Sequence, residues 1–141
     1  MTIATKLAVI QALFFDYVTS LADGLGIDVA WPEVTFETTT GADGQMTPYL
    51  KVDLLPNRPA WEGVASGRLD QGILQLTLNW PPGAGLLKPA IYIGQIIESF
   101  PKGFRLTGPG VSVKISAETW AAAPITEPDR AMHPITITWT A

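Results

Sequence analysis

His133 is the chain's only histidine and its strongest candidate for acid–base or ligand chemistry, but it lacks the company such chemistry needs. With no second histidine and no cysteine, a zinc-type ligand set cannot be assembled around it. A general base here would have to recruit distant carboxylates to orient it. Glu127 and Asp129, separated by Pro128, are the closest acidic pair, and Asp23 with Asp28 is a looser one. Paired carboxylates do acid and base work when burial drives their pKa values apart. Both pairs lie in Pro- or Gly-rich stretches, which reads as solvated loop charge. Nucleophile chemistry fares no better: there is no thiol, and no Gly-x-Ser-x-Gly elbow. Gly83, Gly85 and Lys88 open a helical stretch, where free amides and the helix dipole favour anions. The Gly-Lys-Ser/Thr ending of a phosphate loop and the third glycine of a dinucleotide fingerprint are missing, so this string reads as a flexible turn. No catalytic, metal or cofactor residues are assigned, and no cofactor is expected.

Charged residues are 16% of the 141-residue chain, and the mean hydropathy is +0.22. That is a low charge share and a high hydropathy for a soluble monomer, and it points to apolar surface meant for a partner. The net charge is −4, and the nine basic residues are scattered from Lys6 to Arg130. No phosphate-tracking patch forms, so specific nucleic-acid binding is not expected. The absence of cysteine removes a disulfide framework.

The tryptophans are more informative. Trp31, Trp61 and Trp80 each lie beside or within two residues of a proline, at the end of an element or in a loop. Trp and Arg dominate interface energetics, so Arg58 and Trp61 in one loop form the first candidate contact between subunits, with Trp31 and Trp80 beside them as candidates. The alternative for Trp31 and Trp80 is that each indole caps its own subunit's core.

These residues must be positioned by a short list of elements. Ile3, Leu7, Ile10, Phe14, Val18 and Leu21 recur every three or four residues, which predicts an amphipathic helix over 3–22 with Thr2 as N-cap and Gly24 and Gly26 at its end. Ser20-Leu21-Ala22 also resembles a signal-peptidase site, but Gln11, Asp16 and the helical periodicity argue for a retained helix. No stretch reads as the ~20 apolar residues of a membrane span, so a membrane partner is not expected. A short strand is predicted near 34–37, then a better one over 49–55, where Leu50, Val52 and Leu54 alternate with Lys51 and Asp53. Residues 61–67 read as a loop or a hairpin tip. Leu74, Leu76, Leu78 and Trp80 mark one face of the longest strand, over 69–80.

A second helix follows over 86–100, with Pro89 in its first turn and Leu86, Ala90, Ile93, Ile97 and Phe100 as its buried stripe. Strands over 104–107 and 111–115 flank the Gly108-Pro109-Gly110 turn as a hairpin, and a last strand runs over 135–140. Residues 117–134 read as an Ala- and Pro-rich arm or crossover. Neither an internal repeat nor a domain linker interrupts residues 1–141. The expected fold is a single-domain α+β layer, a mainly antiparallel sheet packed against two helices.

The order of features resembles the tail terminator-like family of tailed phages and prophages over nearly the whole chain. The points of similarity are the opening helix, the Trp31-Pro32 step, the strand from Pro48 to Val52, the long strand from Gly72 to Leu78, the turn from Pro81 to Gly85, the helix end from Ile97 to Gly103, and the closing His133 to Trp139. The resemblance implies a structural, non-enzymatic protein of the virion tail, made in the host cytoplasm. It further implies a homo-oligomeric, hexameric ring that caps the tail tube, with the tail tube protein and the head–tail connector as partners. It carries no active-site motif. Another neck, tail-completion or tube protein is the nearest alternative, and a small-molecule binding module or an exported domain are the alternatives of other classes.

Overall fold

Helix α1, Ile3–Leu25, buries one stripe in the core: Ile10, Phe14, Val18 and Ala22 are spaced by four residues, and each is almost wholly enclosed. In the computed structural model, residues 3–41, 44–56, 60–63, 67–83 and 85–141 are described, those at 3–5, 60–63 and 67–69 by backbone alone. Thr2, the expected N-cap, lies outside them. By length and composition the segment Lys6–Leu25, with a hydropathy of 1.2, could cross a bilayer. This corrects the expectation drawn from uninterrupted apolar runs, because a stretch broken by few charges passes the same test. In the fold the stripe of that helix is spent on the core, and cleavage after Ala22 would strip all four residues from it.

Gly26, with φ of 71°, turns the chain out of α1 into β1, Asp28–Ala30. Strand β1 pairs in parallel with β2, Tyr49–Pro56. The strand expected near 34–37 is absent. Val34 N–H bonds back to the Trp31 carbonyl at 3.3 Å, with Pro32 and Glu33 as the corner residues and Glu33 at a φ of 58°. Pro followed by a positive-φ residue is type II turn geometry, and it spends on a reversal the residues that a strand would need. Phe36 instead stacks on Tyr49, with ring centroids 4.7 Å apart.

Strand β2 is antiparallel to β5, Gln71–Trp80, and between them the chain forms a small separate ladder of β3, Ala60–Gly63, and β4, Gly67–Leu69. The remaining strands are β6, Arg105–Gly108; β7, Val111–Ile115; β8, Trp120–Ala121; β9, Ile125–Thr126; and β10, Ala131–Thr140. The main sheet has the order β1-β2-β5-β10-β7-β6. Among the described strand pairs only β1–β2 is parallel, so the sheet is mixed but mainly antiparallel, and with two helices on one face the fold class is the expected α+β.

Strand β10 pairs with β5 along its whole length, while its other edge is shared by three short partners in turn: β9 at 131–132, β8 at 135–136 and β7 at 139–140. It begins four residues earlier than its periodicity suggested, running through Pro134. The Ala122 N–H bonds to the Pro134 carbonyl at 2.9 Å, so the carbonyl, and with it the position of the missing N–H, faces the β8 side. The β5 ladder therefore loses no bond to the proline, and the gap between β8 and β9 absorbs it.

Helix α2, Leu87–Ser99, lies with α1 on the core face of the sheet. Its buried side is Pro89, Ile96 and, just past its end, Phe100, with Tyr92 and Ile93 half-buried. The expected stripe holds at Ile93, Ile97 and Phe100 and is corrected at Leu86 and Ala90, which point outward. The helix is apolar around most of its circumference, so periodicity alone did not determine which side would be covered. Tyr17 ties the two helices together: its hydroxyl donates to the Ser99 carbonyl at 2.5 Å, and its ring meets Phe100 edge-on at 5.1 Å.

Candidate interaction surfaces

Strand alternation sorts the molecule into two outer faces. Leu50, Val52, Leu74, Leu76, Leu78, Ile135, Ile137 and Trp139 point into the core, so their neighbours Lys51, Asp53, Gln75, Thr77, Thr136 and Thr138 line the face opposite the helices. That open face is mostly polar. At one end it is covered, because Arg130 donates to the Tyr49 hydroxyl and Phe36 lies on the Tyr49 ring.

The residues with chemical potential do not converge. His133 points to the core side and is 3% exposed, with burial pushing its pKa down, so the neutral ring is favoured. Glu127 and Asp129 are both exposed, and Asp129 is bonded by the Arg130 guanidinium at 2.9 Å, which holds its carboxyl below the usual range. Asp23 and Asp28 are exposed at either side of the α1–β1 turn. Among the described residues no group of three His, Asp or Glu side chains could hold a metal ion.

The interface candidates fall in separate places. Trp80 lies on the core side, 7% exposed, with its ring edge-on to Tyr92 at 5.2 Å. It packs against the core of its own subunit and also lines an open groove beside Leu86 and Leu87. Trp31 is half-buried against Phe15, centroids 5.0 Å apart, at the end of β1. Trp61 sits on β3 opposite Arg68, so this segment belongs to an antiparallel hairpin, the second of its two readings; the Trp61 side chain and the whole of Arg58 lie outside what is described.

Apolar surface that the sequence reading passed over is prominent. Leu86, Leu87 and Ile91 are 65%, 77% and 51% exposed around the first turns of α2. Leu86 and Leu87 border an open groove of about 980 Å³ with Met46, Pro48, Trp80 and Pro82 in its walls, and Ile91 lies one helical turn beyond Leu87. Trp120 and Ile125, on β8 and β9, are 54% and 50% exposed. Trp120 pairs with Thr136 and Ile125 with Met132, and both of those partners alternate with core residues on β10, so both side chains project from the open face. The signal that could have found them was there: a helix with few polar residues, and a tryptophan in an Ala- and Pro-rich crossover.

A family model described as phage tail terminator protein matches residues 9–139. The chain belongs to the phage tail terminator family. The match spans every element from the first turns of α1 to the end of β10, so it covers the fold rather than one motif. Tail terminators are structural proteins, and membership makes this chain a structural component of a phage tail. One solved structure, which carries no functional name, is similar with a TM-score of 0.76 and 18% identity, covering 95% of this chain and 94% of that one. At that identity the likeness concerns the fold. No curated protein matches the chain.

Proposed function

We propose that this tail terminator assembles with copies of itself into a closed, hexameric ring on the end of the tail tube, where it stops tube polymerisation and forms the joint to the head connector. The observation that carries the reading is the family match over residues 9–139. The physical features agree with it. A subunit that works by assembly needs apolar surface outside its core, and Leu86, Leu87, Ile91, Trp120 and Ile125 supply it. A head-to-tail contact between two different patches closes into a ring when its rotation permits. In this reading the protein is made in the host cytoplasm, becomes a minor tail component of the virion, and performs no catalysis.

A weakly acidic ring also suits a conduit for DNA, because a net charge of −4 per subunit does not hold the passing strand. The test is negative-stain electron microscopy of the purified protein, alone and mixed with tail tubes of the same phage. Rings, or caps at tube ends, support the reading. Bare tube ends beside folded, monomeric protein sink it.

A further inference from the structure

We infer that the outer side of α2 in one subunit docks on the Trp120–Ile125 patch of the next, so that the joint between copies runs from the helix layer of one to the open sheet face of its neighbour. This inference rests on the self-assembly reading above and names the surfaces that carry it.

Two observations set the geometry. Leu87 and Ile91 are one helical turn apart on the side of α2 opposite Pro89 and Ile96, so they point straight away from the sheet, with Leu86 beside them. Trp120 and Ile125 project from the other face of the same sheet. One chain thus carries two exposed apolar patches on opposite layers, the arrangement a heterologous, head-to-tail contact requires and a two-fold contact does not.

The charges around the patches complement each other. Lys88 is the sole charged residue between positions 81 and 97, and it is exposed at the border of the helical patch. The stretch 117–127 contains Glu118 and Glu127, both exposed, and no basic residue, while Asp129 just beyond it is paired with Arg130. A basic rim facing an acidic rim steers the two patches together and disfavours packing of either patch on its own copy. The groove beside Leu86 and Leu87 offers a concave seat for the indole of the neighbour's Trp120, and buried Trp is prominent among residues that dominate interfaces.

Two surface variants test this, Leu87→Asp and Trp120→Asp, each checked for folding by circular dichroism and sized by analytical ultracentrifugation. Both are also imaged on tube ends, and the comparison uses whichever setting the wild type assembles in. Each variant alone is expected to fail to assemble. Mixed in equal amounts, they are expected to form pairs that grow no further, because each retains the patch the other has lost. Lys88→Glu provides a reading free of apolar-to-acid changes and should weaken assembly several-fold, more at low salt than at high. If both aspartate variants assemble like the wild type, the docking is wrong while the ring survives. If Trp120→Asp assembles and Leu87→Asp does not, α2 packs on its own counterpart and the inference falls. A wild type that assembles in neither setting overturns the docking and the ring together.

Discussion

Gly72 stands directly opposite Trp139 in the β5–β10 ladder, and a Cβ built on it would lie 2.7 Å from the indole Cζ2. The same Cβ would sit 2.7 Å from the Leu55 carbonyl oxygen and 3.0 Å from the Pro56 Cα. Two of the three neighbours are backbone, so no rotamer change relieves the clash. The missing side chain is what lets Trp139, 1% exposed and 5.8 Å from Phe14, close this end of the core. Gly72→Ala should therefore cost about 1–3 kcal/mol, toward the upper end because backbone must move. Urea unfolding of the variant measures it; a midpoint equal to that of the wild type would mean that the strand has room to shift.

His133 gives the fold a pH dependence of defined sign. Its Nε2 is buried with no hydrogen-bond partner among the described residues, and burial lowers its pKa. In the unfolded chain it takes a proton near its ordinary value of about 6.5. The unfolded state thus binds more protons as the pH falls below that value, so stability is full above it and declines as pH drops toward the lower, folded-state pKa. Asp129 is also depressed, but from a carboxylate value, so its window lies at more acid pH. Thermal melts between about pH 7.5 and 5 should show a loss in the wild type that His133→Leu reduces. Equal slopes in the two proteins would place that loss elsewhere.

Removal of residues 1–22, as cleavage after Ala22 would produce, should leave a chain that does not fold. Ile10, Phe14 and Val18 are each worth about 1.5–3 kcal/mol of burial, and their sum rivals the ~5–15 kcal/mol that holds a domain together. Circular dichroism of a chain starting at Asp23 checks this. A cooperative melt in that chain would reopen the export reading.

Tyr17→Phe isolates one tie between the helices. It deletes the hydroxyl that bonds the Ser99 carbonyl and keeps the ring against Phe100 and Phe104, so the expected cost is about 1 kcal/mol. Denaturant unfolding reads it directly, and a cost near zero would show that water replaces the bond.

Periodicity was a reliable guide where one side of an element is polar. The stripe of α1, the alternation of β2 and β5, and the β6–β7 hairpin at Gly110 all stand where their residues placed them. It misled where both sides are apolar, as on α2, where Leu86 and Ala90 look like core and are exposed. Strand β1 was illegible because three residues show no alternation and its partner lies across the parallel connection. Pro134 hid the start of β10, since only the neighbouring strands reveal that its lost donor faces a gap. Of the interface candidates, Trp80 shows what its neighbours could not: the proline beside it marks the end of the strand, while alternation sends the indole inward against Tyr92, where it also lines the groove. Trp120 was passed over because nothing in an Ala- and Pro-rich stretch shows which face its two-residue strand will present.

The most direct measurement of the central claim is the growth of tail tubes, followed by electron microscopy, as tube protein polymerises with and without this chain. The account predicts that the chain, at amounts far below that of the tube protein, caps the growing end and holds tube length. Tubes that lengthen equally with and without it, while the chain is folded and present, would contradict the account.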